Sequence, residues 1–165
     1  MRRLKIKWRC LHCGECCRHL VGRRFGMVLT PEEWRRLNRL ARWLGVKLET
    51  KPLVAGALGA QLYQVTQEVC PFLDRRRNKC RIYSARPTVC RMFPLSPYGL
   101  LSCTFIEKAP PGVMIEFPEE MKAALREYMI KIHPVIRNAD LVYDLNRGWR
   151  PINRYLDRIQ LRIGD

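Results

Sequence analysis

The sequence predicts an α+β fold: a small domain of short strands and cysteine-bearing metal loops packed against several helices, with a helical C-terminal cap. Three observations carry this. Residues 3–9 alternate Leu4, Ile6 and Trp8 with Lys5, Lys7 and Arg9, the period-two pattern of a half-buried strand. Thr30-Pro31-Glu32-Glu33 is a helix start, with Thr at the N-cap, Pro at the first helical position and Glu where a capping box needs it. Eight cysteines fall into two groups of four, at 10, 13, 16, 17 and at 70, 80, 90, 103, and packing alone asks for no such density of sulfur. A chain of 165 residues is expected to form a single domain over 1–165 that buries roughly 70% of its unfolded surface. Within it, 8–105 is the cysteine-cluster region and 113–165 the cap.

Taken in order, the N-terminal strand delivers the chain into Cys10-Leu-His-Cys-Gly-Glu-Cys-Cys17, where Gly14 permits a sharp turn. Gly22 and Gly26 flank a short strand around Met27 to Leu29. The capped helix then presents Trp34, Leu37, Leu40, Ala41 and Leu44 on one face, and Gly45 ends it. Its other face carries Arg35, Arg36, Arg39 and Arg42, the best candidate anion surface, although charge on a helix is usually its solvated side. Val46, Leu48, Tyr63 and Val65 suggest strands on either side of a small-residue connector or lid, Ala55 to Ala60. That stretch lacks the Gly-Lys-Ser/Thr ending of a phosphate loop. Two short strands joined by Arg75-Arg76-Arg77-Asn78-Lys79 would bring Cys70 near Cys80. Ser84 is placed to cap a short helix containing Pro87, Cys90 and Arg91, which breaks at Pro94, and Cys103 sits in the strand-like run Leu100 to Ile106. Beyond Pro110-Pro111-Gly112 there is no cysteine. Helices are expected from Pro118 to Ile132, from Pro134 to Asn146, and through Ile152, Leu156, Ile159 and Ile163.

The spacing Cys10-x2-Cys13-x2-Cys16-Cys17 is what a tight turn needs to bring thiolates onto one metal centre. Eight is the count for two four-thiolate sites. Side chains of adjacent cysteines usually diverge, so a division in which Cys10, Cys13 and Cys16 take one distant cysteine while Cys17 joins the rest stands beside two local sites. Zinc and 4Fe-4S clusters both accept four thiolates. The tandem Cys-x2-Cys-x2-Cys run favours one or two clusters, since zinc sites more often pair separate knuckles. Cys17 and the missing local Cys-Pro depart from the ferredoxin pattern, and Cys70-Pro71 offers a remote version. His12 and His19 flank the loop and could each replace a thiolate. Arg86 and Arg91 are expected to donate hydrogen bonds toward the bound centre and Tyr83 to pack beside it.

These residues resemble the YkgJ-like cysteine-cluster family, described as a zinc- or iron-chelating domain. The resemblance rests on Cys10-x2-Cys13-Gly14-x-Cys16-Cys17, on Cys70-Pro71-Phe72-Leu73, and on Cys80-x-Ile82-Tyr83-x2-Arg86-Pro87-x2-Cys90-Arg91-x-Phe93-Pro94. It implies metal or cluster binding at the matched cysteines, with Cys103 the weakest carry-over. Similar sequence occurs in a flagellin lysine methylase, so the resemblance also raises a cluster-dependent enzyme. No glycine-rich methyl-donor motif accompanies it here.

The charge of +16 is concentrated with the cysteines: residues 1–91 hold 21 basic and 6 acidic side chains, +15, and residues 92–165 hold 10 and 9, +1. Two readings follow. Arginine can compensate thiolates, or the Arg-rich half can dock nucleic acid or another anionic partner while a metal holds the fold. Apolar runs fall short of the ~18 residues of a membrane span, and the basic start leads into no apolar signal segment. A cytoplasmic protein is therefore expected, and reduced thiols there favour metal over disulfides.

Overall fold

The computed structural model describes residues 4–20, 27–56, 59–97, 99–137, 141–144 and 148–151. In chain order the elements are β1 (Lys5–Lys7), α1 (Glu15–Arg18), β2 (Val28–Leu29), α2 (Pro31–Leu44), β3 (Thr50–Gly56), β4 (Gly59–Val65), β5 (Leu73–Asp74) and β6 (Lys79–Cys80). A 3-10 turn (Tyr83–Ala85) then leads to α3 (Thr88–Met92), β7 (Leu95–Ser96), β8 (Gly99–Leu100) and α4 (Thr104–Glu107). Last come β9 (Met114–Glu116), α5 (Glu119–Lys131), α6 (His133–Arg137), β10 (Leu141–Asp144) and β11 (Gly148–Pro151). The α+β expectation holds. Short strands form one five-stranded sheet, ordered β11-β10-β3-β4-β2, and three two-stranded ribbons.

The large sheet separates two cores. Strand residues alternate between its faces, so in β2 Val28 joins Leu53, Val54 and Leu62 against Met92, Ala124, Tyr128, Ile132 and Ile136 from α3, α5 and α6. Leu29 and Val65 face the other way, toward Leu37 and Ala41 of α2 and the cysteine-bearing segments with Cys70, Phe72, Leu73 and Ile82. Leu53 and Val54 share one core because register shifts at Pro52/Val54 and Val54/Ala55 interrupt the alternation.

Helix α2 forms as its sequence dictates. Thr30 Oγ1 accepts the Glu33 N–H at 3.2 Å, Glu33 Oε2 accepts the Thr30 N–H at 3.0 Å, and Gly45 closes the helix at φ 66°. Glu33 does more than cap. Its Oε1 accepts both the backbone N–H and the hydroxyl of Thr88, each at 2.7 Å, so one buried carboxylate joins the start of α2 to the start of α3. Trp34 fixes α2 to the sheet by donating to Thr50 Oγ1 at 2.9 Å and stacking on Tyr63, with ring centroids 4.5 Å apart.

Five local expectations change. In the stretch Ala55 to Ala60, read as a connector or lid, the described residues belong to strands: Ala55 pairs with Ala60 and Gly56 with Gly59, because a β-ladder runs through backbone groups whatever the side-chain bulk. Ser84 lies inside the 3-10 turn and caps nothing; Arg86 is held extended before Pro87, so the helix restarts only after the proline. Cys103 occupies the N-cap position of α4, since the strand ends at Leu100. The helix from Pro134 stops at Arg137, and 141–144 pair with β3 and β11, where the open edge of β3 supplies backbone partners that a longer helix would leave unused. Strand β1 covers only three of the residues read as a strand and pairs in parallel with β9. The expected helix through Ile152 to Ile163, and Gly22 and Gly26, lie outside the described residues. Among the described residues no helix is long and apolar enough to cross a membrane.

The dual role of Glu33 separates two substitutions. Thr30→Ala is expected to cost about 1 kcal/mol, the worth of a cap. Glu33→Ala, which strands three donors around a buried site, is expected to cost about 3 kcal/mol or more, read from urea midpoints at constant m-value.

Candidate metal centre

The first cysteine group is shaped by Gly14. It starts α1 at φ 75°, and a Cβ there would lie 3.2 Å from Asn78 Oδ1. The Cys17 N–H bonds back to the Gly14 carbonyl at 3.0 Å, closing the turn. Cys16 and Cys17 do not diverge: their Sγ atoms are 3.9 Å apart.

The second group is stitched to the first. The Cys70 N–H donates to the Cys17 carbonyl at 2.7 Å and the Leu20 N–H to the Glu68 carbonyl at 2.9 Å. The β5–β6 hairpin is then set by Asp74, whose Oδ1 accepts the N–H groups of Arg76 and Arg77 at 3.0 and 3.2 Å. Asn78, at φ 53°, accepts a hydrogen bond from Arg18 of α1. Its role was hidden in a run that reads simply as a basic turn, although asparagine's tolerance of left-handed backbone was the available signal.

Six cysteines thereby line one cavity of about 70 Å³: Cys10, Cys16 and Cys17 from the first group, Cys70, Cys80 and Cys90 from the second. Leu20, Met27, Phe72, Leu73, Ile82 and Phe93 complete an apolar wall, with His12 also at the lining. Cys90 donates to Met27 Sδ at 3.5 Å, a thioether that cysteine spacing could not announce. Cys13 and Cys103 do not line it: Cys13 Sγ lies 3.5 Å from Thr104 Oγ1, at the start of α4, and Cys103 is the residue before Thr104, although Cys13 remains close enough to act on Cys10. Among the described residues, no three Cys, His, Asp or Glu side chains converge on a single ion position. The thiols surround a space.

Burial and crowding suppress ionisation of three of these thiols. Burial pushes the Cys10 thiol up, opposed by the His12 N–H at its sulfur and reinforced by Cys16 and Cys13. At Cys17 the hydrogen bond from Cys16 pulls down, but the Cys70 hydrogen bond, burial and the Cys70 and Cys80 charges outweigh it and push the thiol up to about 12. Cys80 is raised by burial, against the Ile82 N–H and the Arg86 charge, with Cys16 and Cys10 adding to the rise. A cation among the sulfurs reverses this logic, which is the chemistry a thiolate metal site needs. The donor set therefore fits a soft or borderline metal.

Arg86 stands where that site would use it. Its guanidinium lies 3.7 Å over the Tyr83 ring, Nε donates to the Tyr83 carbonyl at 2.9 Å, and its charge favours the thiolates of Cys10 and Cys80. Arg91, expected beside the bound centre, is engaged by α3 and α5. Its guanidinium donates to Thr88 Oγ1 at 3.2 Å and to Glu127 at 2.7 Å, bracing α3 against α5, and it does not line the cavity. His12 lines the cavity with its ring 6.2 Å from that of Tyr83. His19 sits between Glu15 and Glu68, at 3.4 and 3.5 Å, away from the lining. Gly14→Ala forces a Cβ onto left-handed backbone beside Asn78. A loss of about 1–2 kcal/mol is expected from urea unfolding, and Gly14→Asn, which tolerates that backbone better, should lose less.

An uncharacterized protein of Methanocaldococcus jannaschii is 31% identical over 96 residues, which span 55% of this chain and 46% of that protein. The chain thus matches about half the length of this relative. No solved structure matches. Residues 9–117 match the family described as "CxxCxxCC: Putative zinc- or iron-chelating domain", a range that contains all eight cysteines. With that match over most of its length, and with thiols from both sequence groups drawn around one cavity, the chain belongs to the CxxCxxCC family of metal-chelating domains.

Proposed function

We propose that the cavity between α1 and the β5–β6 hairpin holds a 4Fe-4S cluster, with ligands drawn from Cys10, Cys16, Cys17, Cys70, Cys80 and Cys90. The carrying observation is that six thiols surround a volume of about 70 Å³ without converging on one point. A water needs roughly 10–15 Å³ of such space, so a single ion bound by four thiolates leaves much of it empty. The apolar wall of Leu20, Phe72 and Ile82 suits a group whose potential depends on solvent exclusion. Such a cluster supplies one-electron transfer when bound. The residues around it do the rest: Arg86 offsets thiolate charge, and the Cys17–Cys70 backbone bond holds the two cysteine groups at a fixed separation. Cys10, Cys16 and Cys80 influence one another, as do Cys17 and Cys70. That favours ligand sets that cross between the sequence groups.

Zinc is the second reading, favoured by one distance. Two thiolates on a tetrahedral zinc are about 3.8 Å apart, given Zn–S near 2.3 Å, and Cys16 and Cys17 are already at 3.9 Å. Zinc would make the centre structural.

Protein purified without oxygen is expected to be brown and to contain iron and acid-labile sulfide. Cys70→Ser and Cys80→Ser should each lower iron to less than half, whereas Cys103→Ser retains most of it. Colourless protein with stoichiometric zinc would replace the first reading by the second. Loading should also depend steeply on pH. Cys10, Cys17 and Cys80 have raised pKa values and are protonated in the free protein near neutrality, so binding releases their protons. Apparent affinity for Zn²⁺, measured by competition with a chelator, should rise with a slope of about three to four log units per pH unit between pH 6 and 8, one for each thiol that becomes a ligand.

A further inference from the structure

The hairpin that carries Cys80 inward carries a different chemistry outward. Arg75, Arg76, Arg77, Lys79 and Arg81 are all exposed, five cations in seven residues. Asp74, the acidic residue of the hairpin, has Oδ1 engaged by the Arg76 and Arg77 backbone N–H groups. Among the described residues none of the five cations makes an ion pair, whereas Arg91, Lys122 and Lys131 do. Leu73 and Cys80 are cross-strand partners and both line the cavity, so Asp74 and Lys79 lie on the opposite face of the ribbon. The tip is pre-shaped by the Asp74 turn and by Asn78, which is tied to Arg18.

We propose that this hairpin docks the phosphates of duplex DNA, and that its grip depends on the occupancy of the cysteine cavity. Arginine clusters recognise phosphate bidentately, and a two-stranded ribbon is narrow enough for a major groove. The exposed tip offers no apolar side chain to enter a bilayer. The exposed Arg face of α2 is the weaker candidate: Arg36 is turned to the Ala85 carbonyl at 3.5 Å, which leaves Arg35, Arg39 and Arg42 spread along the helix. Coupling follows from shared residues. Leu73, Asn78 and Cys80 of the hairpin line the cavity, so a group bound there fixes the strand from which Lys79 and Arg81 project. This second half of the proposal rests on the metal reading above. Linkage makes it reciprocal, so DNA should tighten the metal by the same factor.

The test is fluorescence anisotropy of the full chain, purified without oxygen, with a labelled 30-base-pair DNA across a salt series, metal content being measured on every sample. The combined Arg75→Gln, Arg76→Gln, Arg77→Gln variant is expected to keep its metal, to bind about a hundredfold more weakly at 100 mM salt, and to show a salt slope smaller by about 2.7. A charge-matched variant, Arg35→Gln, Arg39→Gln, Arg42→Gln, should lose less than about tenfold. Equal losses from both would mean that bulk charge binds the DNA, and would overturn the docking site. So would absence of DNA binding, or binding to phosphatidylserine vesicles alone. Removing the metal should weaken binding by at least about fivefold, and unchanged binding after removal overturns the coupling. If the protein holds no metal at all, the reading of the cavity fails, while the two arginine variants still decide the docking surface.

Discussion

A single carboxylate, Glu33, holds together the parts of this molecule that the cavity needs. One oxygen closes the capping box at the start of α2, and the other receives two hydrogen bonds from Thr88 at the start of α3. Thr88 in turn accepts from Arg91, which reaches Glu127 on α5. The chain of contacts crosses from one core to the other and fixes α3 between them. Cys90 is on α3 and Arg86 lies two residues before its start, so two residues of the cavity wall take their positions from a hydrogen-bond network that never touches a sulfur. Hydrogen bonds to a buried, unpaired carboxylate are among the stronger ones in proteins, which suits a joint to a helix of only five residues.

Local sequence logic was legible wherever the determinants were local. Thr30, Pro31 and Glu33 announced α2 to the residue, and Gly45 its end, because capping depends on neighbours within one turn. The helix through Met121, Ala124 and Tyr128 was equally plain from its period. The site was legible as residue types and illegible as geometry. Cysteine spacing marked all eight thiols, but that Cys13 meets Thr104 at the start of α4 and is left out of the cavity lining, as Cys103 is, could not be read from it. The second partner of Glu33 is 55 residues away, and a motif read in a four-residue window could not contain it. Strand β10 was missed for a related reason: edge pairing with β3 is decided by an available partner, and the local apolar period did not reveal one.

The electrostatics of the cavity are set by opposition. The thiols of Cys10, Cys17 and Cys80 are gathered where burial and neighbouring cysteines keep them protonated, and a guanidinium stacked on Tyr83 pulls the other way at Cys10 and Cys80. Neither effect alone makes a metal site. Together they describe three thiols that hold their protons until a cation displaces them, with one positive side chain that favours the thiolates of Cys10 and Cys80. Two nearby arginines belong to other tasks, Arg91 to the joint with α5 and Arg18 to the shape of the hairpin.

The N-terminal strand pairs in parallel with β9, Lys5 opposite Met114 and Lys7 opposite Glu116, and the Trp8 N–H extends the ladder to the Glu116 carbonyl. During synthesis, therefore, the strand leading into Cys10 has no partner until the ribosome has released the segment around residue 116. At 5–20 residues per second that wait lasts about 5–20 seconds, during which the first cysteine loop is tethered only at its downstream end. Long-range pairings of this kind form late because loop closure must precede them. Of the three two-stranded ribbons, the one that fixes the chain upstream of Cys10 is thus the last to have both its strands synthesised.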